Sequence, residues 1–182
     1  MLRIVCFGDS NTYGYDPRGY FGDRYGAEDR WTDLLAKQTG YTVINAGVNG
    51  REIPGSLYAL RLLAEHTPVD IFLAMLGTND LLQGITAKET AARMENFLNP
   101  LLPHCRHILL AAPPPMKRGA WVPTDNLVAE SIYLVEEYML VAEKLNISFV
   151  DTRQWNIELT FDGVHFTENG HHTFANRLIE YL

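Results

Sequence analysis

Short apolar runs alternate along the chain with longer stretches in which apolar residues recur every three or four positions. The short runs predict five β-strands, at residues 2–7, 42–45, 71–76, 107–112 and 148–150. Strands that alternate with helical stretches are typical of a parallel sheet with helices on both faces. We therefore expect an α/β protein, in which ligands bind outside the carboxyl ends of the strands.

The helical stretches have clear apolar faces. They predict helices at residues 31–40, 56–65, 86–98, 128–142 and 167–182. The third opens with Thr86-Ala87-Lys88-Glu89, a capping-box pattern. Two long connections remain, at residues 11–30 and 113–125, and we expect them to form the walls of a pocket because long loops at this edge of a sheet usually carry function.

The composition fits one globular domain over residues 1–182. Hydrophobic residues make up 47% of the chain and charged residues 20%. The net charge of −7 argues against a nucleic-acid partner, because phosphate binding needs a basic surface. No signal peptide or transmembrane run is visible, so we expect a cytoplasmic protein without a membrane partner.

Cysteines and most histidines give no sign of a metal or disulfide. Cys6 and Cys105 lie in or beside apolar runs and are expected to be core or near-core residues. There is no CxxC or HExxH spacing, so we expect no metal site. The following histidines are expected at the surface or at helix ends: His66, His104, His107, His171 and His172.

The stretch Gly8-Asp9-Ser10 places a hydroxyl directly after the first predicted strand. Gly8 allows a sharp turn there, and Asp9 is expected to serve that turn. A serine becomes a nucleophile only with a base beside it and a group that orients the base. Asp162 and His165, three residues apart, could supply both, although such a pair taken alone is more often a pair of surface polar residues.

Two further groups follow the second and third strands and so lie at the same edge of the sheet. Gly50 could present a backbone N–H, and Asn79 a side-chain amide, to a substrate carbonyl oxygen. Each has a structural alternative, namely a turn glycine for Gly50 and an Asx turn or helix cap for Asn79 and Asp80. We favour the chemical interpretation because four signals coincide at one edge.

These motifs resemble those of the SGNH hydrolase superfamily, also called the GDSL lipase/esterase family. The matching blocks are Gly8-Asp9-Ser10, the glycine of the stretch 45–50, Gly77-Thr78-Asn79-Asp80 and Asp162-Gly163-Val164-His165. They occur in the family's order and span nearly the whole chain. The runs 8–17, 30–32 and 75–81 are also similar to those of the arylesterase and acyltransferase branch.

The resemblance implies a three-layer α/β/α sandwich with a flavodoxin-like five-stranded parallel sheet, in the strand order 2-1-3-4-5. It implies a catalytic triad of Ser10 as nucleophile, His165 as base and Asp162 as the group that orients His165. The oxyanion hole would consist of the N–H groups of Ser10 and Gly50 and the amide of Asn79, with Gly47 as the competing glycine. No metal or organic cofactor would be needed.

The activity implied is that of a serine esterase, which cleaves small carboxylic esters through an acyl-serine intermediate. Asp9, Tyr13 and Trp121 are candidates for contacting the substrate, and Tyr20 and Trp155 could line the same pocket. A sugar-ester deacetylase, a lysophospholipase or a thioesterase would use the same triad. A homo-oligomer is also possible, because in some relatives a second subunit completes the pocket.

Two interpretations without catalysis stay open. A flavodoxin-like binding module would hold a flavin phosphate in the loop after the first strand, although Asp9 repels phosphate and Tyr13 is bulky. A carbohydrate-binding or structural relative could keep the fold and lack activity, although the complete triad argues against it. Asp151, at the end of the fifth strand, is expected to start a turn.

Overall fold

A five-stranded parallel sheet forms the centre of the computed structural model, which describes residues 2–19 and 23–182. The strands are Arg3–Gly8 (β1), Thr42–Gly47 (β2), Ile71–Met75 (β3), His107–Ala111 (β4) and Ser148–Val150 (β5). They lie in the order β2-β1-β3-β4-β5, and every neighbouring pair is parallel. Both the fold class and the strand order predicted above are confirmed.

The helices are Ser10–Tyr13 (α1), Trp31–Thr39 (α2), Leu57–Glu65 (α3), Thr78–Leu82 (α4), Ala87–Leu98 (α5), Asp125–Leu145 (α6) and Glu168–Leu178 (α7). Two 3₁₀ turns follow α5 and α7, at Asn99–His104 and Ile179–Tyr181. The capping box at Thr86 and Glu89 is confirmed, with both reciprocal hydrogen bonds present. The sequence patterns missed α1 and α4, because four or five residues are too few to show a helical period.

Alternate residues of the strands face two separate cores. In β1, Val5 and Phe7 belong to the core under α3, α5 and α6, whereas Ile4 and Cys6 belong to the core under α2 and α7. The three-layer arrangement was therefore predicted correctly. Trp155 is a correction, because it is buried in the second core against Phe174 and does not line a pocket with the motif residues.

Three further expectations concern Tyr20, membrane spans and metal sites. Tyr20 lies outside the described residues. Within the described part of the chain, no helix is long and apolar enough to cross a membrane. In the same part, no group of three or more His, Cys, Asp or Glu side chains could hold a metal ion.

Candidate active site

Ser10 is the first residue of α1, where the chain turns away from the carboxyl end of β1. The turn is tight, since a Cβ on Gly8 would lie 2.0 Å from the Thr12 hydroxyl oxygen. Asp9 caps α1, its carboxylate accepting the backbone N–H of Asn11 at 3.0 Å. The turn that we expected Asp9 to serve is therefore present, and it fixes Ser10 at the edge of the sheet.

Ser10 meets two motif residues from the other end of the chain at this edge. The Oγ of Ser10 lies 3.0 Å from Nε2 of His165, and Nδ1 of His165 lies 2.7 Å from Oδ2 of Asp162. The exposed fractions of the three residues are 6% for Ser10, 1% for His165 and 0% for Asp162. An imidazole held between a hydroxyl and a carboxylate can take a proton from the hydroxyl.

The Asp162 carboxylate is held ionised by its hydrogen bonds. Burial alone would raise its pKa. The ring of His165 and the backbone N–H groups of His165 and Val164 donate to it and outweigh burial, so its pKa is lowered to about 2. An ionised carboxylate accepts the Nδ1–H of the imidazole, which leaves Nε2 free to accept a proton from Ser10.

Asn11 ties Ser10 to the loop that carries His165, a role that the sequence did not suggest. Its Nδ2 donates to the carbonyl of Val164 at 3.1 Å, and its Oδ1 accepts the N–H of Phe166 at 2.9 Å. These two backbone groups flank His165 on either side. The only available signal was an amide side chain next to Ser10, and residue type alone does not identify a partner 155 positions away.

The two glycines after β2 have different surroundings. The N–H of Gly47 donates to Oδ1 of Asn45 at 2.9 Å, and a Cβ on Gly47 would lie 2.1 Å from the backbone nitrogen of Tyr13. Gly47 is therefore required for close packing against α1, and its N–H is already used. Gly50 is exposed, has a φ of +71° and lies in a turn closed by the N–H of Arg51 donating to the carbonyl of Val48 at 3.2 Å.

Asn79, in α4, points its side-chain amide toward that turn. Its Nδ2 donates to the carbonyl of Arg51 at 3.2 Å and lies 3.5 Å from Oδ2 of Asp9. The Asx turn or helix cap considered as an alternative is absent, since Gly77 caps α4 without a side-chain hydrogen bond. Asn79, Asp9 and the turn 48–51 are thus brought together near Ser10.

Asp80 is a correction. We expected it to cap a helix, but its buried side chain joins three segments of the chain. Its Oδ2 accepts the N–H of Ile53 at 3.1 Å, and its Oδ1 lies 3.1 Å from Nη1 of Arg93 in α5. Asp80 therefore anchors the segment that follows the turn 48–51.

The loop between β4 and α6 packs backbone against backbone on the loop that carries Asp162. The N–H groups of Lys117 and Trp121 donate to the carbonyls of Gly163 and Asp162, both at 3.0 Å. A Cβ on Gly119 would lie 2.4 Å from the carbonyl carbon of Asp162, so only glycine fits there. This contact holds the Trp121 ring edge-on to the His165 ring, at 5.0 Å between centroids, with 49% of Trp121 exposed.

The other two proposed substrate contacts, Tyr13 and Asp9, contact other groups of the protein. Tyr13 packs under the guanidinium of Arg24, whose Cζ is 4.4 Å from the ring centroid. Asp9 is 2% exposed and lies beneath the site, where burial raises its pKa to about 6. Tyr15, an aromatic residue of the first long loop, lies against the His165 ring at 4.8 Å between centroids.

One of the remaining histidines is buried, contrary to expectation. His171 packs edge-on against the rings of Tyr25 and Phe166, and neither of its ring nitrogens has a hydrogen-bond partner within the described residues. Burial lowers its pKa to about 3. Asp151 does start a turn, accepting the N–H of Arg153 at 3.0 Å.

The chain is similar to known esterases in sequence and in structure. The model of the GDSL-like lipase/acylhydrolase family matches residues 6–173. The native aryl esterase of M. smegmatis is 27% identical with a TM-score of 0.86, and the alignment covers 100% of this chain and 98% of that one. A carbohydrate acetylesterase family member from Sinorhizobium meliloti is 27% identical with a TM-score of 0.87, and the alignment covers 100% of this chain and 97% of that one.

A more distant structure shares the fold. The acetylxylan esterase Axe2 of Geobacillus stearothermophilus is 20% identical with a TM-score of 0.72, covering 98% of this chain and 93% of that one. Among curated proteins, none matches the chain. Since the family model spans all four motifs from Gly8 to His165, this protein belongs to the GDSL-like lipase/acylhydrolase family and is a carboxylic ester hydrolase.

Proposed function

We propose that this protein is a serine esterase that hydrolyses small carboxylic esters through an acyl-serine intermediate. The observation that carries the proposal is the pair of short hydrogen bonds from Ser10 to His165, at 3.0 Å, and from His165 to Asp162, at 2.7 Å. A buried hydroxyl, imidazole and ionised carboxylate in this order form the arrangement that activates a serine for acyl transfer.

The reaction proceeds in two acyl transfers. Nε2 of His165 takes the proton of the Ser10 hydroxyl while Oγ bonds to the ester carbonyl carbon. The tetrahedral intermediate collapses, the bond to the alcohol oxygen breaks, and His165 gives the proton to the departing alcohol. Water then repeats the sequence on the acyl-serine, and the carboxylic acid leaves with Ser10 restored. Asp162 stabilises the imidazolium in both steps.

The negative charge on the carbonyl oxygen needs donors, and three are available. We assign this role to the N–H groups of Ser10 and Gly50 and to the side-chain amide of Asn79. Gly47 is less suitable, because its N–H is bonded to Asn45. Nδ2 of Asn79 has one firm acceptor, the carbonyl of Arg51, and its contact with Asp9 at 3.5 Å is long enough for a developing oxyanion to displace.

The exposed ring of Trp121 indicates where the alcohol part of the substrate binds. His165 must reach the alcohol oxygen to protonate it, so the alcohol lies on the His165 side of Ser10. Trp121 stands on that side, with its ring at 5.0 Å from the ring of His165. Alcohol groups with a flat face, such as phenols and sugars, pack well on an indole ring.

A sugar-ester deacetylase is the second candidate, favoured by the half-exposed Trp121 and by the similarity to a carbohydrate acetylesterase family member. The two candidates share the triad and differ only in the alcohol part. Comparing phenyl acetate with a per-acetylated xylose at equal concentration separates them, since kcat/KM is higher for the better-fitting alcohol.

The test of the shared chemistry is hydrolysis of p-nitrophenyl acetate by wild type and Ser10→Ala. We expect kcat to fall by several orders of magnitude in the variant. Ser148→Ala is the matched control, because Ser148 is exposed and opens β5 at the opposite edge of the sheet. If Ser10→Ala, shown to be folded by circular dichroism, hydrolyses the ester as fast as wild type, the proposal is wrong.

A further inference from the structure

Arg51 runs from the turn 48–51 back to the ends of the two neighbouring strands. Its Nη1 donates to the carbonyl of Gly8 at 3.0 Å and also to the carbonyl of Ala46. Gly8 ends β1 two residues before Ser10, and Ala46 lies one residue before the end of β2. The guanidinium therefore bridges the strand that leads to Ser10 and the strand that leads to Gly50.

Two aromatic rings hold the same guanidinium. Its Cζ lies 4.2 Å from the ring centroid of Phe7 and 5.5 Å from that of Tyr58. Phe7 is buried and packs against Phe72 and Phe97, so the surface under Arg51 is rigid. A planar guanidinium suits this position, because it lies over the Phe7 ring while its Nη1 donates to both carbonyls. A lysine ammonium could also donate to the carbonyls, but it lacks the planar face that lies over the ring.

The backbone of Arg51 belongs to the candidate oxyanion hole itself. Its N–H closes the turn that contains Gly50, at 3.2 Å from the carbonyl of Val48. Its carbonyl accepts the Nδ2 of Asn79 at 3.2 Å and so orients that amide. The side chain of Arg51 thus fixes a backbone segment whose placement determines two of the three proposed donors.

We propose that Arg51 is the positioning residue of the oxyanion half of the site, by which we mean the turn 48–51 and Asn79. Its side chain anchors the turn to the sheet, and its carbonyl aims the Asn79 amide at the carbonyl oxygen of the substrate. The inference rests on the proposed function. Arg51 acts on the transition state, because the donors it holds matter most when negative charge has formed on that oxygen.

The test compares Arg51→Gln and Arg51→Lys with wild type, using p-nitrophenyl acetate. We expect Arg51→Gln to lower kcat by about 10–100-fold, because a displacement of about 1 Å at a catalytic group has an effect of this size. KM should change by less than about threefold, since ground-state binding does not depend on the oxyanion donors. Arg51→Lys should recover only part of the loss. Arg61→Gln, an exposed charge removal in α3, is the matched control.

A double-mutant cycle distinguishes positioning from general loosening of the fold. If Arg51 acts through Asn79, then Arg51→Gln should cost far less kcat in an Asn79→Ala background than in wild type. The affinity for phenylboronic acid, which forms an anionic tetrahedral adduct with the serine, should fall in parallel with kcat in the single variant.

The outcomes separate the two proposals. A kcat for Arg51→Gln within twofold of wild type, with hydrolysis still dependent on Ser10, overturns the role of Arg51 and leaves the esterase proposal standing. Additive costs in the cycle also overturn it, because the proposal requires the carbonyl of Arg51 to act through the Asn79 amide. Should Arg51→Gln fail to fold, Arg51→Lys and its cycle with Asn79→Ala decide the question. Hydrolysis that survives Ser10→Ala overturns both proposals.

Discussion

The groups that hold His165 and those that hold Asn79 differ in burial and in hydrogen-bond length. Ser10, Asn11 and residues 162–166, which we call the triad half, are buried and joined by bonds of 2.7–3.1 Å. In the oxyanion half, Gly50 lies in an exposed turn, and Nδ2 of Asn79 has contacts of 3.2 and 3.5 Å.

The difference follows from what each half must do. In the proposed mechanism the triad half moves a proton over a fixed distance, so its groups are best fixed in place before the substrate binds. In the same mechanism the oxyanion half donates hydrogen bonds to the carbonyl oxygen of the substrate, so its donors need open space on one side. Burial cannot fix a donor that must stay open to the substrate. In our proposal the side chain of Arg51 fixes the turn 48–51 instead, by anchoring it to the ends of β1 and β2.

The largest effect is expected in the triad half. Asp162→Asn should lower kcat by about 10⁴-fold, because an amide that donates to Nδ1 of His165 leaves the proton on Nε2 and removes the base. Hydrolysis of p-nitrophenyl acetate measures this, with Asp125→Asn at the exposed start of α6 as the control. A loss below tenfold would mean that Asp162 does not fix the tautomer of His165.

The oxyanion half should respond less. Asn79→Ala should lower kcat by about 10²–10³-fold while KM changes little, since one donor to the transition state is lost. Asn126→Ala, an exposed amide removal in α6, controls for the loss of an amide side chain. If KM rises and kcat stays unchanged, Asn79 binds the ester in its ground state, and its assignment to the oxyanion is wrong.

Substitutions in the buried triad half should cost more stability than substitutions in the more open oxyanion half. Asn11→Ala leaves the N–H of Phe166 and the carbonyl of Val164 buried without partners, which should lower the free energy of unfolding by about 2–4 kcal/mol. Asn79→Ala should cost less than about 1 kcal/mol, because its partner, the carbonyl of Arg51, is only partly buried. Urea unfolding at pH 7 measures both, and equal costs would remove the distinction between the halves.

Acid should weaken the packing beside the triad half, where His171 lies against Phe166. His171 has a folded pKa of about 3 and an ordinary value of 6.5, so the unfolded chain binds the extra proton between these values. The free energy of unfolding therefore falls as pH falls, by up to about 2 kcal/mol from pH 7 to pH 5. His172, Arg30 and His165 also disfavour the charged ring, whereas Asp16 opposes them. In His171→Phe this loss should disappear, as measured by urea unfolding at both pH values.

Asp9, which contacts Asn79 of the oxyanion half, should have a smaller effect of opposite sign. Burial raises the pKa of Asp9 from 3.8 to about 6, so the folded protein holds the proton longer than the unfolded chain. The contribution of Asp9 to stability is present at acid pH and falls as pH rises, by up to about 1 kcal/mol from pH 5 to pH 7. Asp9→Asn should therefore gain stability relative to wild type over that range, and a relative loss would contradict the assignment.

The sequence indicated the proposed triad and oxyanion residues better than the groups that hold them in place. The strands that end near Ser10, Gly50 and Asn79 are visible as apolar runs, and parallel strands must end at one edge. The roles of Asn11 and Arg51 were not predicted, because both side chains bind backbone groups distant in the chain. Every residue type has these backbone groups, so the sequence does not indicate which of them a side chain will bind. Packing also escaped prediction, because Trp155 was expected to line the pocket and His171 to lie at the surface or at a helix end, although both are buried.

A missed signal was present for His171. It lies three residues before Phe174, which is itself four residues before Leu178, so all three share one face of α7. This spacing indicates a buried position, and the expectation of a surface or helix-end histidine did not use it. For α1 and α4 there was no such spacing, and only the turn residues around them could have indicated short helices.

The backbone ladder between residues 117–121 and 161–163 limits how this enzyme can change its preference for alcohols. The wall that carries Trp121 and the loop that carries Asp162 are bonded main chain to main chain, and Gly119 and Gly163 leave no room between them. Insertions or deletions in either loop would shift Asp162 together with Trp121. New specificities should therefore arise through exchange of side chains at Trp121 and its neighbours, with loop length kept constant, which makes this position the natural target for laboratory evolution.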